Sequence, residues 1–316
     1  MACILAHMRT LAFSLVLSIV ALTTSCQTTY SNETAWDQQQ RTTGQPTVTV
    51  QPSIPPSRSR LVPSRALSIP RVPPPAPDCA AVCVLDPRTG RVLYAHNAHA
   101  RRQVASTQKI VTALCVCDMG NLNKAVTIAP EDLKVSPIRL NLKPGTSYRR
   151  GDLLQAMLTG SFNDVAVTLA RDAAGSVEAF VNRMNARARR MRMYNTHFAN
   201  PNGLPAEQYS TAYDMALAAC YAYNNPIIRR CINVPQYNFR MADGRIKKIE
   251  STNKLLSKYS WVQGMKTGYT NAAGKCLISC ASQRGQSVIV VVLGSTSSKI
   301  WGESMKYLRW AFGMSA

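Results

Sequence analysis

Acidic residues are scarce in this chain: 16 aspartates and glutamates stand against 37 lysines and arginines, for a formal net charge of +21 over 316 residues. Histidine is scarcer still, at four, and the ten cysteines include no Cys-x-x-Cys pair. Cys/His metal frameworks are thereby excluded as the basis of the fold, and no metal or cofactor is expected. Zinc-finger spacing, a basic heptad and an aromatic RNA-binding signature are all missing, so the positive charge has no nucleic-acid motif behind it. The apolar run from Leu11 to Leu22 is too short to cross a bilayer as a relaxed helix. Behind Arg9 it has the length of a signal-peptide core, which makes export the expectation.

The run ends in Thr23-Thr24-Ser25-Cys26, small residues leading into a cysteine, which resembles a bacterial lipobox. Residues 1–25 then read as a lipoprotein-type signal and Cys26 as the lipidated mature N-terminus, anchored to a membrane. Leu22 lies four places before the cysteine where a lipobox has leucine at three, and plain signal cleavage or an uncleaved anchor are the alternatives. Residues 26–77 are rich in Gln, Thr, Ser and Pro. Such a composition cannot bury enough apolar surface to order itself, and it reads as a disordered tether with polyproline-like stretches. With six arginines against Glu33 and Asp37 before residue 78, the remainder keeps 31 basic and 14 acidic residues, a net +17. A basic body suits an anionic cell-wall or membrane surface, or serves solubility alone. Of the eight body cysteines, Cys220 and Cys231 flank an Asn224-Asn225-Pro226 break and could bridge, whereas Cys276 and Cys280 are expected to pack as small hydrophobes.

The body, residues 78–316, opens with a hairpin, Ala81–Leu85 and Arg91–Ala95 around Asp86-Pro87-Arg88-Thr89-Gly90. From Ser106 the residues Ile110, Val111, Ala113, Leu114 and Val116 recur at helical spacing until Asp118-Met119-Gly120. Further helices are expected at Leu153–Leu158, at 163–173, from the N-cap Ser176 through Ala188, and from Thr211, where Asp214 completes a capping box, to about Tyr223. Strands follow at Gln236–Met241, Arg245–Ile249, Cys276–Ala281 and Val288–Leu293, the last apolar throughout and therefore central, and Ser304–Phe312 closes as a helix. Strands at both ends around a helical insertion at about 115–225 indicate one sheet built from distant segments.

Ser106-Thr107-Gln108-Lys109 sets a hydroxyl and an amine three residues apart on one helical face. Serine needs an adjacent base to become a nucleophile, and lysine is a base only if burial or nearby cations keep it neutral. Alone the spacing reads more simply as a helix cap with a solvated lysine one turn on. Ser161-Phe162-Asn163 alone reads as another cap, and Lys266-Thr267-Gly268 as a surface strand end. In this order and at these separations, however, the three triplets match the motif set of the penicillin-recognising serine enzymes.

From roughly Ala80 to Trp310 the chain resembles the D-alanyl-D-alanine carboxypeptidases among the low-molecular-mass penicillin-binding proteins. The likeness extends to Ala105, to Asp164 and Ala166, to His197-Phe198 with Asn202-Gly203-Leu204, to Tyr209-Ser210-Thr211-Ala212 with Asp214-Met215-Ala216, and to Tyr269-Thr270 with Ala273-Gly274. It implies an α/β (α+β) penicillin-binding-protein/β-lactamase-like fold, a five-stranded antiparallel sheet flanked by helices with a helical subdomain. It implies further that Ser106 attacks the carbonyl of the penultimate D-Ala of a peptidoglycan stem peptide while Lys109 takes its proton. Ser161 would relay a proton to the leaving amine, Asn163 would hold the substrate amide and Lys109, and Lys266 would keep the site electropositive. Thr267, in the Lys266-Thr267-Gly268 triplet at the entry to the strand region, would bind the terminal carboxylate, and the backbone N–H groups of Ser106 and Tyr269 would form the oxyanion hole. β-Lactams would acylate Ser106.

Where relatives carry an arginine after the last strand, this chain has Ser297-Ser298-Lys299-Ile300-Trp301; Lys299 is the candidate substitute, with a plain surface lysine as the simpler reading. Because the sequence runs only a little past Trp310, the extra β-domain and C-terminal anchor of many relatives are expected to be absent, with the N-terminal lipid in their place. A D,D-endopeptidase cutting cross-links is the main alternative, suggested by Thr270-Asn271-Ala272-Ala273-Gly274. A β-lactamase would need a deacylating base, and Glu178 with Asn182 lies too close after Asn163. A non-catalytic penicillin sensor would not be expected to keep all three motifs.

Overall fold

A strand as apolar as Val288–Leu293 needs cover on both faces. In the computed structural model, which describes residues 66–314, this run is the middle of β9 (Gln286–Ser295) and is fully buried. Its side chains alternate, as the strand period requires: Ile289, Val291 and Leu293 enter one apolar cluster, Val288, Val290 and Val292 another. β9 pairs antiparallel with β1 (Ala81–Leu85) and with β8 (Gly274–Gln283). β2 (Val92–His96) and β7 (Val262–Thr270) form the edges of the sheet, in the order β2-β1-β9-β8-β7. The expected five-stranded antiparallel sheet is thus present, built from the two ends of the described chain.

The larger cluster fills the space between this sheet and the helices α1 (Lys109–Asp118), α2 (Arg150–Gly160), α3 (Asn163–Ala174), α4 (Val177–Arg190), α5 (Ala212–Asn224) and α6 (Pro226–Ile232). Two small ribbons accompany them, β3 (Ala125–Thr127) with β4 (Ser147–Arg149), and β5 (Gln236–Arg240) with β6 (Ile246–Glu250). The smaller cluster lies on the opposite face, under the one-turn α7 (Leu255–Lys258) and α8 (Ile300–Ala311).

Several local expectations are modified. Ser106 sits in a single 3-10 turn, Ala105–Gln108, ahead of α1. Ser176 caps α4 by accepting from the Ala179 N–H at 3.0 Å. Thr211 likewise caps α5, accepting from Asp214 N–H at 3.0 Å, but the reciprocal half of the capping box does not form. The Asp214 carboxylate instead accepts from Asn195 N–H and Thr196 Oγ1 at 2.9 and 2.7 Å, tying down the loop that precedes α5. Cys220 and Cys231 are free thiols rather than a bridge; each is held in apolar surroundings that push its pKa up to about 12, and both pack as small hydrophobes. Cys276 and Cys280 are buried thiols, as expected.

The expected signal segment 1–25, Cys26 and the tether up to residue 65 lie outside the described residues. The tether's last part does not hang free. Leu67 is buried, its N–H donates to Asp86 Oδ2 at 3.0 Å, and its carbonyl accepts from Arg91. Further along, the carbonyls of Val72 and Pro75 accept from Trp310 Nε1 at 2.8 Å and Tyr307 Oη at 3.2 Å. A proline-rich strand leaves its carbonyls free, and here side chains of α8 satisfy them.

Candidate active site

The turn that carries Ser106 is set by close backbone packing. Ala105 has φ 48°, a left-handed conformation unusual for a residue with a Cβ. The loop residue Gly203 lies against it so tightly that a Cβ at Gly203 would stand 2.2 Å from the Ala105 carbonyl oxygen and 2.7 Å from Ser106 N. From the other side β7 approaches: a Cβ on Gly268 would come within 3.0 Å of the backbone nitrogens of Ser106 and Thr107. These two glycines let three segments converge where any side chain would separate them.

One helical turn on, Lys109 is wholly buried. Its Nζ lies 2.8 Å from Ser106 Oγ, 2.7 Å from Asn163 Oδ1 and 2.5 Å from the carbonyl of Asn202. A neutral amine has two N–H donors and one lone pair. Asn163 Oδ1 and Asn202 O can only accept, so a neutral Lys109 would spend its two N–H donors on them; the Ser106 hydroxyl itself donates to the Asn202 carbonyl at 3.2 Å. Burial drives the Lys109 pKa well below that of a free lysine, the nearby Lys266 lowers it further, and the Asp164 carboxylate opposes both.

Asn163 opens α3, and its Nδ2 donates to the Pro137 carbonyl at 2.6 Å. Asp164 beside it accepts from the N–H groups of Leu140 and Asn141 at 3.0 and 3.1 Å. Together they pin the 137–141 loop as one wall of the cleft. Ser161 terminates α2 in a left-handed conformation, φ 65°, which turns its hydroxyl toward β7. There Lys266 Nζ, also fully buried, donates to Ser161 Oγ at 2.8 Å. Burial lowers the Lys266 pKa to about 7. Thr267 points the other way and donates to Thr252 Oγ1 at 2.7 Å. Because β7 is an edge strand, one row of its backbone groups faces the cleft instead of a neighbour.

The structure therefore brings Ser106, Lys109, Ser161, Asn163, Lys266, Thr267, Gly268 and Tyr269 to one place. Ser106, Ser161, Thr267, Gly268 and Tyr269 line a cleft of about 320 Å³, together with Pro137, Ile138, Thr252, Lys275, Ile300 and Trp301. Lys299 is elsewhere. It is exposed and paired with Asp78 at 2.9 Å, at the start of α8, so the surface-lysine reading holds. A lysine that does line the cleft is Lys275 on β8, whose Nζ lies 3.9 Å from the Tyr269 ring centroid. Sequence reading missed it because a lysine opposite Tyr269 across two strands has no motif; the register Tyr269↔Lys275 is visible only once β7 and β8 are paired. It also gave no role to the Asn202 carbonyl, since a backbone acceptor leaves no trace in side-chain identity. Among the described residues no group of three or more His, Cys, Asp or Glu could hold a metal ion.

Residues 70–297 match the family model described as D-alanyl-D-alanine carboxypeptidase, Peptidase S11. Among curated proteins, the chain is 31% identical over 230 residues to the D-alanyl-D-alanine carboxypeptidase DacF of Bacillus subtilis, covering 71% of this chain and 59% of DacF. It is 32% identical over 215 residues to a D-alanyl-D-alanine endopeptidase of Pseudomonas aeruginosa, covering 66% of this chain and 69% of that one. Among solved structures, a D-alanyl-D-alanine carboxypeptidase from Mycobacterium tuberculosis superposes with a TM-score of 0.74 at 29% identity, over 78% of this chain and 97% of that one.

Proposed function

The chain belongs to the D-alanyl-D-alanine carboxypeptidase family of serine peptidases, and we propose that it removes the terminal D-Ala from peptidoglycan stem pentapeptides through an acyl-enzyme on Ser106. The observation that carries this reading is the buried Lys109 amine, 2.8 Å from the Ser106 hydroxyl and with its pKa driven well below that of a free lysine by burial. Neutral Lys109 takes the Ser106 proton as Oγ attacks the carbonyl of the penultimate D-Ala. The developing oxyanion faces the backbone N–H groups of Ser106 and Tyr269, a preorganised pair of the kind whose loss costs about 3 to 4 kcal/mol. Ser161, hydrogen-bonded to Lys266, passes a proton to the leaving amine. Thr267 Oγ1 and Lys275 hold the terminal carboxylate, Lys275 taking the place of the arginine expected after the last strand. Water then cleaves the ester and returns Ser106.

β-Lactams enter the same cleft and acylate Ser106 as analogues of acyl-D-Ala-D-Ala. The protein acts outside the cytoplasm, tethered through a lipid on Cys26, its basic body against the anionic wall. The test is a muropeptide pentapeptide incubated with the protein and followed by mass spectrometry. Loss of one D-Ala, abolished in Ser106→Ala, is the expected result; an unchanged pentapeptide contradicts the reading.

A further inference from the structure

Five arginines fall within ten residues at the end of α4 and just beyond it: Arg183, Arg187, Arg189, Arg190 and Arg192. Arg183, Arg187 and Arg190 recur at the spacing of one helical face and line a surface cavity of about 590 Å³ with Cys115, Asp118 and Met119 from the end of α1. Arg187 pairs with Asp118 at 3.0 Å and lies over the Tyr221 ring, 5.4 Å from its centroid. The other four are exposed and form no ion pair among the described residues; Arg183 Nη1 reaches only the Met119 sulfur, at 2.7 Å. The C-termini of α1 and α4 draw basic neighbours, but each presents only about half a negative charge. With Asp118 they offset roughly two of the five positive charges, which leaves an excess of about three.

The place of the patch narrows what it binds. α1 starts at Lys109 in the cleft and ends at Asp118 beside the arginines, about 15 Å along its axis. An anion held there is remote from the scissile bond, so the patch is no part of the site that cuts. Guanidinium forks match phosphate oxygens. Met119 and Tyr221 stand among them, 39% and 44% exposed. A thioether and an amphipathic ring gain by entering a lipid headgroup layer and gain little from a hydrated polyanion.

We infer that the arginine face of α4, with the end of α1, is a docking surface for an anionic phospholipid bilayer. Seated on it, the body holds the Ser106 end of α1 away from the lipid, and the basic residues elsewhere on the body stay free for the wall. The inference needs neither the peptidase activity nor a lipid on Cys26. It is an electrostatic contact of the folded body, and it weakens as salt screens it.

The test compares the full chain with its Arg183→Gln/Arg190→Gln variant, by cosedimentation with vesicles of phosphatidylcholine alone or with about a third phosphatidylglycerol. Arg187 stays in place, so its ion pair with Asp118 is not broken. Any binding through the apolar run Leu11–Leu22 is measured by the phosphatidylcholine vesicles. The inference predicts that the extra affinity for phosphatidylglycerol falls about 25-fold in the variant, a factor of about five per arginine. Rates of penicillin acylation and pentapeptide cleavage should stay within about twofold. Unchanged partition, or an equal loss on both vesicle types, overturns the inference. So does a variant that keeps its lipid affinity and loses affinity for RNA or for insoluble wall material. A second arm uses the parent protein alone: phosphatidylglycerol with a photoreactive headgroup, in vesicles, should label peptides containing Met119, Arg183 or Arg190. Labelling confined to other peptides contradicts the inference even where the variant fails to fold. Should the parent protein cleave no substrate, the carboxypeptidase reading falls by itself, and both lipid arms still decide the docking surface.

Discussion

Two buried lysines sit in one site, and the proposed mechanism asks opposite protonation states of them. In that mechanism Lys109 is a base only when neutral, and Lys266 is a source of positive charge only when protonated. The kcat/KM for D-Ala release should therefore rise with pH as Lys109 loses its proton, at a pKa depressed by burial and by Lys266. It should then fall as Lys266 loses its own at about 7. These limbs belong to the coupled pair and not to either amine alone. Arginine does not deprotonate in this range, so Lys266→Arg should keep activity on the alkaline side where the parent protein declines. A pH–rate profile of the variant that still falls near neutrality would assign the limb to another group.

At the scale of elements, the site depends on how closely a loop, a turn and a strand approach one another. Gly203→Ala forces a Cβ against the Ala105 carbonyl and into a φ of +84°. It should destabilise the protein by about 2 to 4 kcal/mol and slow penicillin acylation beyond what the loss of folded protein explains. Thermal unfolding and acylation rates on the same samples measure both, and near-normal values for each would show that the contact is not constraining. Much of this level was legible in the sequence. Apolar periodicity located α1 and β9, and Ser176 and Thr211 marked helix starts because their oxygens cap free N–H groups. Ser106, Lys109 and Asn163 were legible because a hydroxyl, an amine and an amide at motif spacing have few reasons to recur together. β7 was not recognised as a full strand: Gln263-Gly264-Met265-Lys266-Thr267-Gly268 has neither alternation nor β-branched density, and its pairing with β8 supplies what its composition lacks. The docking of residues 66–77 was equally hidden, since it is held by carbonyls and not by side chains.

For the whole molecule, the excess of basic charge, +21 in all, should matter for a polymeric anionic substrate and little for a small soluble one. Cleavage of insoluble wall material should decline as ionic strength rises from about 0.01 to 0.15 M, where the Debye length shortens from about 30 to 8 Å. Pentapeptide hydrolysis should change far less. Equal salt dependence for both would mean that the charge does not steer the protein to its substrate. The two faces of the sheet divide the work: the helical side builds the buried amines, and the α7–α8 side covers the smaller apolar cluster.

The identity of the nucleophile is most directly measured by intact-mass and peptide mapping after brief exposure to a β-lactam. The account predicts one adduct per chain, on the peptide containing Ser106, formed slowly or not at all in Lys109→Ala and absent in Ser106→Ala. An adduct that persists in Ser106→Ala, or maps to any other residue, would contradict it.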